Sequence, residues 1–89
     1  MDQKRKKPNA EEAFGWIMGE NPSGFTLLRT EFPAWKPRFE GENLRGLDLS
    51  GFDFSGGTFV EVDFSNAVLA GTNFDGARFA GCRFEQANL

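Results

Sequence analysis

The stretch from Leu44 to Leu89 reads LRGLDLSGFDFSGGTFVEVDFSNAVLAGTNFDGARFAGCRFEQANL, and its fifth residues decide the fold. Leu44, Leu49, Phe54, Phe59, Phe64, Leu69, Phe74, Phe79, Phe84 and Leu89 fall at a strict spacing of five. Leu and Phe supply 12 of the 48 residues from Glu42 onward, so ten consecutive hits have chance odds on the order of one in a million. Two positions after each of these centres the chain favours glycine (Gly46, Gly51, Gly56, Gly71, Gly76, Gly81), with Asn66 once in its place. Gly and Asn accept the backbone angles of tight corners. Two positions before the centre the later side chains are small: Gly57, Val62, Ala67, Thr72, Ala77, Cys82 and Ala87. The position just before the centre is mostly polar, as at Asn43, Asp48, Asp53, Asp63, Asn73 and Arg83. Each pentad therefore sends one large and one small residue inward and three outward or to a corner. Helices repeat about every 3.6 residues and strands every two, so neither alone explains the pattern.

Segments such as Asn43-Leu44-Arg45-Gly46, Asp48-Leu49-Ser50-Gly51 and Ala87-Asn88-Leu89 resemble the alanine–aspartate/asparagine–leucine motif of pentapeptide-repeat proteins. The resemblance covers residues 42–89. It implies a mainly β fold, a right-handed four-sided β-helix with four pentads to a coil and about 2.5 coils in all. The residues themselves give a check on the number four. Residues four pentads apart would stack, and Leu49, Leu69 and Leu89 then form one column, with Phe54/Phe74 and Phe59/Phe79 forming two more. Leu44/Phe64/Phe84 is a mixed column. Glu42, Leu47 and Phe52 are too large for the small slot, which predicts a distorted first coil.

Residues 9–41 read as a cap on that solenoid. Asn9 with Glu12 resembles a capping box, and Ala10, Ala13, Phe14, Ile17 and Met18 make one apolar face of a helix near 10–18. Gly19 and Asn21-Pro22 end it. Phe25, Leu28 and Phe32 fit either a short helix or a strand, and periodicity does not choose between them. Pro33 and Pro37 enforce an extended lead-in bearing Trp35 and Phe39. A first coil has no neighbour beneath it, so a lid is needed; Phe14, Ile17 and Trp35 are its candidate residues. The competing reading is an independent binding element.

The 89 residues hold 10 Lys and Arg against 13 Asp and Glu, a single cysteine and no histidine. No apolar run is long enough to span a membrane, and no apolar segment follows the basic start, so neither a membrane span nor a secretory signal is expected. A cytoplasmic location follows. One cysteine excludes an intramolecular disulfide, and without histidine the usual zinc spacings are missing. No metal or cofactor is expected. Nucleophilic catalysis needs an activated Ser or Cys beside a base, whereas Ser50, Ser55 and Ser65 recur in an outward turn slot and Cys82 in the small inward one. No acid stacks on an acid four pentads away, so paired-carboxylate catalysis lacks its geometry. A non-enzyme is expected.

Residues 1–8 read as a flexible basic tail, and a run of this kind is ordinarily a solvated face. Residues 42–89 carry three bases and seven acids. Some proteins of the resembled family are acidic rods that imitate duplex DNA, and Asp48, Asp53 and Asp75 would give such a surface here. The sequence stops on a centre, Leu89, which leaves the upper side of Phe74, Phe79, Phe84 and Leu89 uncovered. Either that end is an interface or the chain was cut from a longer solenoid. Two functions survive: a structural or protein-interaction module that self-associates end to end as a homodimer, and an acidic mimic that inhibits a DNA-binding enzyme such as a topoisomerase. The implied partners are a second copy and another, unidentified protein. Direct nucleic-acid binding and membrane contact are not expected.

Overall fold

Every fifth residue turns the backbone through a left-handed corner, and the fold is built on that. In a computed structural model that describes residues 8–89, φ is positive at 41, 46, 51, 56, 61, 66, 71, 76, 81 and 86. Seven of these are glycine; Glu61, Asn66 and Gln86 hold the same conformation at φ 55, 63 and 57. A side chain in this region costs roughly 1–2 kcal/mol, so the recurrence at non-glycine positions shows that the surrounding ladder imposes the corner.

Between the corners the chain stacks on itself in parallel. Three short strands, β1 (Arg38–Glu40), β2 (Thr58–Val60) and β3 (Arg78–Ala80), form one sheet in the order β1-β2-β3. Phe39 pairs with Phe59 and Phe59 with Phe79, a step of four pentads. Isolated bridges repeat that step on the other sides, joining Asn43 to Asp63, Asp48 to Val68, Asp53 to Asn73, Asp63 to Arg83 and Val68 to Asn88. The chain thus rises in tiers, here called lower (38–57), middle (58–77) and upper (78–89). The ladder starts before the expected boundary at residue 42. β1 lies inside the segment assigned to the cap, because Pro37 already presents its carbonyl to Thr58 N at 2.9 Å.

The centres fill the interior. Leu44, Leu49, Phe54, Phe59 and Phe64 are fully buried, and Leu69 nearly so. Phe39, Phe59 and Phe79 stack with ring centroids 5.8 and 5.3 Å apart, and Phe64 lies 5.1 Å from Phe84 at an interplanar angle of 9°. Distances of this order are those at which aromatic pairs attract beyond simple area burial. The expected distortion of the first coil is absent. The lower tier keeps the four-pentad register at Asn43, Asp48 and Asp53, and Phe52 is fully buried. Its bulk is taken up by the cap, where Phe25 meets it at 5.5 Å.

Two helices make that cap. α1 (Ala10–Met18) begins at Asn9, whose side chain accepts from Glu12 N at 2.6 Å. α2 (Pro22–Glu31) uses the Asn21-Pro22 pair that ends the first helix as its own start: the Asn21 side chain accepts from Gly24 N at 3.0 Å, with Pro22 at the first helical position. The open choice for residues 25–32 thus resolves largely to helix. A Cβ on Gly24 would stand 2.5 Å from the Trp16 ring, so glycine lets the two helices close. Ile17 is buried, and Phe14 and Trp35 pack against the core, partly covered. The basic run at residues 4–7 lies outside the described residues.

Phe54 touches Phe25, Phe52, Phe59 and Phe74, joining cap, lower tier and middle tier. Phe54→Ala is expected to cost about 3–5 kcal/mol in chemical denaturation. A loss below about 1 kcal/mol would place the ring outside the core.

Candidate functional site

A parallel ladder ends in two unlike edges, and their chemistry follows from which backbone groups point along the stack. In the interior, the carbonyls on either side of a centre accept from the tier below: Asn73 O from Phe54 N and Asp75 O from Gly56 N, both at 2.8 Å. Amides one residue before a centre donate downward, as Val68 N does to Leu47 O at 2.9 Å. Buried backbone groups need such partners.

At the lower edge two side chains of the cap stand in for the missing tier. Asp53 O and Ser55 O occupy the positions of Asn73 O and Asp75 O, one step down. The Arg29 guanidinium donates to both, Nη1 to Asp53 O at 2.7 Å and Nη2 to Ser55 O at 2.9 Å. The fork of the guanidinium thus replaces two ladder amides. Its side chain is only 8% exposed, lies 3.7 Å from the Asp53 carboxylate and sits over the Trp35 ring. On the neighbouring side Asp48 N, equivalent to Val68 N, donates to Glu20 Oε2 at 2.6 Å. Phe25 closes the interior between Trp35, Phe52 and Phe54. Sequence reading did not single out Arg29 or Glu20. The available signal was the Phe25/Leu28/Phe32 face, beside which Arg29 falls once residues 22–31 are helical.

The upper edge has no such substitute. Among the described residues nothing accepts from the amides of Phe74, Gly76, Phe84, Gln86 or Leu89, or donates to the carbonyls of Thr72, Ala77, Cys82 or Ala87. Phe79 is 41% exposed and Leu89 80%, while Phe74 and Phe84 are half-buried. The four residues expected at an interface therefore share one edge. Cys82 is a free thiol whose Sγ donates to Phe59 O at 3.2 Å.

The acidic positions serve the turns first. Asp48, Asp53, Asp63, Asn43 and Asn73 each accept from the amide two residues on, at 2.9–3.1 Å. That is the reason for a polar residue before the centre. The Ser50 hydroxyl and amide hold Asp48 below the usual carboxylate range. Burial pushes Asp53 upward, but the Ser55 hydroxyl and amide, with Arg29 and Lys36, outweigh it and leave it lowered. Asp63 drops furthest, to about 2, through Ser65, whose amide donates to it at 3.0 Å, and then through Arg45. Arg83 pairs with Asp63 in the ladder, yet the carboxylate's ion pair is with Arg45 of the tier below, at 3.1 Å. Asp48 and Asp75 are exposed; Asp53, half-buried, faces Arg29. No group of three or more His, Cys, Asp or Glu able to hold a metal occurs among the described residues, and none of their helices is long and apolar enough to cross a membrane.

Among known proteins, a family model described as pentapeptide repeats (8 copies) fits residues 58–89. No curated protein and no solved structure matches the chain.

Two expectations test the lower edge and the turn carboxylates. Arg29→Met keeps an apolar stem but removes both donors, leaving two carbonyls unpaired; it should cost about 2–3 kcal/mol in denaturant unfolding. An unchanged midpoint would mean that the fork does no structural work. The second concerns acid. Asp48, Asp53 and Asp63 titrate lower in the fold than in the open chain, so their contribution is complete above the usual value of 3.8 and fades as pH falls towards about 2. Asp63→Asn keeps the turn, as Asn43 and Asn73 show, and should flatten the loss of stability between about pH 5 and pH 2. An equally steep loss in the variant would contradict the assignment.

Proposed function

Residues 58–89 carry the repeats of the pentapeptide-repeat family, and from that premise we propose that the chain is a non-catalytic protein-interaction module which pairs with a second copy of itself through its upper edge. The observation that carries this reading is the upper edge itself, where exposed Phe79 and Leu89 stand beside unpaired ladder amides and carbonyls. Such an edge is a template for another chain. Phe74 and Phe84 complete the apolar surface. The four-pentad step supports a right-handed, four-sided coil of about 2.5 turns beneath it. A two-fold, end-to-end dimer covers both upper edges at once. Head-to-tail stacking has no matching surface while Arg29 and Glu20 occupy the lower one. A cytoplasmic protein that joins another protein through the same face fits equally.

The alternative, an acidic mimic of duplex DNA acting on an enzyme such as a topoisomerase, draws less support. Of the three acids it needs, Asp53 is met by Arg29 and Lys36, and Asp48 is engaged by Ser50. Displacement of DNA from a purified topoisomerase would revive that reading.

Phe84→Asp places a charge in the upper edge. By light scattering at tens of micromolar, the wild-type chain is expected at the mass of two copies and the variant at one. A wild type with the mass of one copy, or a variant that stays paired, would overturn the proposal.

A further inference from the structure

The cap does more than cover the core: we infer that it blocks a second self-association surface, the lower edge of the 38–57 tier, whose natural occupant is the upper edge of another copy. The inference rests on the reading of the upper edge as a pairing surface and adds what regulates it.

The argument is one of register. Tiers repeat every four pentads, so a second copy stacked as the next tier would set its Phe39 over Phe79, its Leu44 over Phe84 and its Leu49 over Leu89. Each is a residue type the ladder already stacks in that column: Phe39 beneath Phe59, Leu44 beneath Phe64, Leu49 beneath Leu69. The polar groups match as well. Phe64 N donates to Arg83 O, Asn66 N to Glu85 O and Leu69 N to Asn88 O. By the same step the unpaired amides of Phe84, Gln86 and Leu89 would meet the carbonyls of Asn43, Arg45 and Asp48 of the second copy. In return Asn88 N donates to Ala67 O, so the second copy's Asp48 N would meet Ala87 O. That amide is the one Glu20 holds in the capped chain.

Glu20 and Arg29 are therefore two latches on one lid. Glu20 neutralises a donor on one side of the tier, and Arg29 pins the adjacent side through Asp53 O and Ser55 O. With α1 and α2 in place the interior beneath Phe54 is plugged by Phe25. With the lid lifted, the two edges become complementary along the columns of Phe39, Leu44 and Leu49, and head-to-tail contacts of this kind propagate rather than close. The lid thus sets the difference between a closed pair and an open fibre.

Sedimentation velocity on the full-length chain tests this. Glu20→Gly removes the carboxylate at an exposed position whose φ of 53 glycine accepts, and Arg29→Met removes the fork. The double variant should retain its β signal in circular dichroism, show red-shifted emission from Trp16 and Trp35, and sediment beyond the mass of two copies, increasingly so with concentration. Adding Phe84→Asp should return it to the mass of one. If the double variant fails to fold, Glu20→Gly alone is judged by the same readouts. A folded variant with the wild-type mass at every concentration overturns the inference, and so does unchanged tryptophan emission. Failure of the pairing reading is separable: it shows as a wild type that Phe84→Asp leaves unaltered.

Discussion

The stacking of one large apolar side chain per pentad over its equivalent four pentads on is the constraint from which the rest follows. Phe39, Phe59 and Phe79 make the column visible, and the Phe64–Phe84 pair repeats it on the next side. Inward burial of these rings supplies the driving force. It also fixes the register, because a slip of one residue would turn a centre to solvent and a corner to the core. Parallel pairing then satisfies the backbone along the stack, and Asn43, Asp48, Asp53, Asp63 and Asn73, each just before a centre, serve a separate amide that the ladder leaves over. Glu61 and Gln86 accept an unfavourable φ because that register leaves no other corner.

A structure held together this way is finished along its sides and unfinished at its ends. The two ends are treated differently. At the lower end side chains imitate backbone: Arg29 supplies two donors where two amides would lie, and Glu20 supplies an acceptor where a carbonyl would lie. At the upper end no described residue plays that part, and Phe79 and Leu89 are exposed. This asymmetry, rather than any cluster of reactive groups, is the chemical feature that separates one part of the surface from another. It is also why the functional reading is one of association.

Much of this is legible in the residues alone. The Leu/Phe spacing sets out the columns, and the glycines with Asn66 mark most corners. Asn9 with Glu12 marks the start of α1. What stays hidden depends on contacts distant in sequence. Phe52 looks wrong for a small slot until Phe25 is placed against it, and the lower tier then keeps its register. Arg29 and Glu20 carry no motif, since their partners are backbone atoms 24–28 residues away. The start of the ladder at Arg38 is obscured because Pro33 and Pro37 read as a lead-in, although Pro37 needs only its carbonyl to join. The four edge residues are readable as centres, while their exposure depends on nothing lying above them among the described residues.

The measurement that bears most directly on the stacked register is solution NMR of the amide protons. The account predicts contacts between the Phe54 amide and Asn73, and between the Phe64 amide and Arg83, with slow exchange for the amides of Leu49, Phe54 and Phe64. The amides of Phe84 and Gln86 should exchange much faster in any sample held as single copies. Contacts that step by three or five pentads instead of four would contradict the account, as would fast exchange at Phe54.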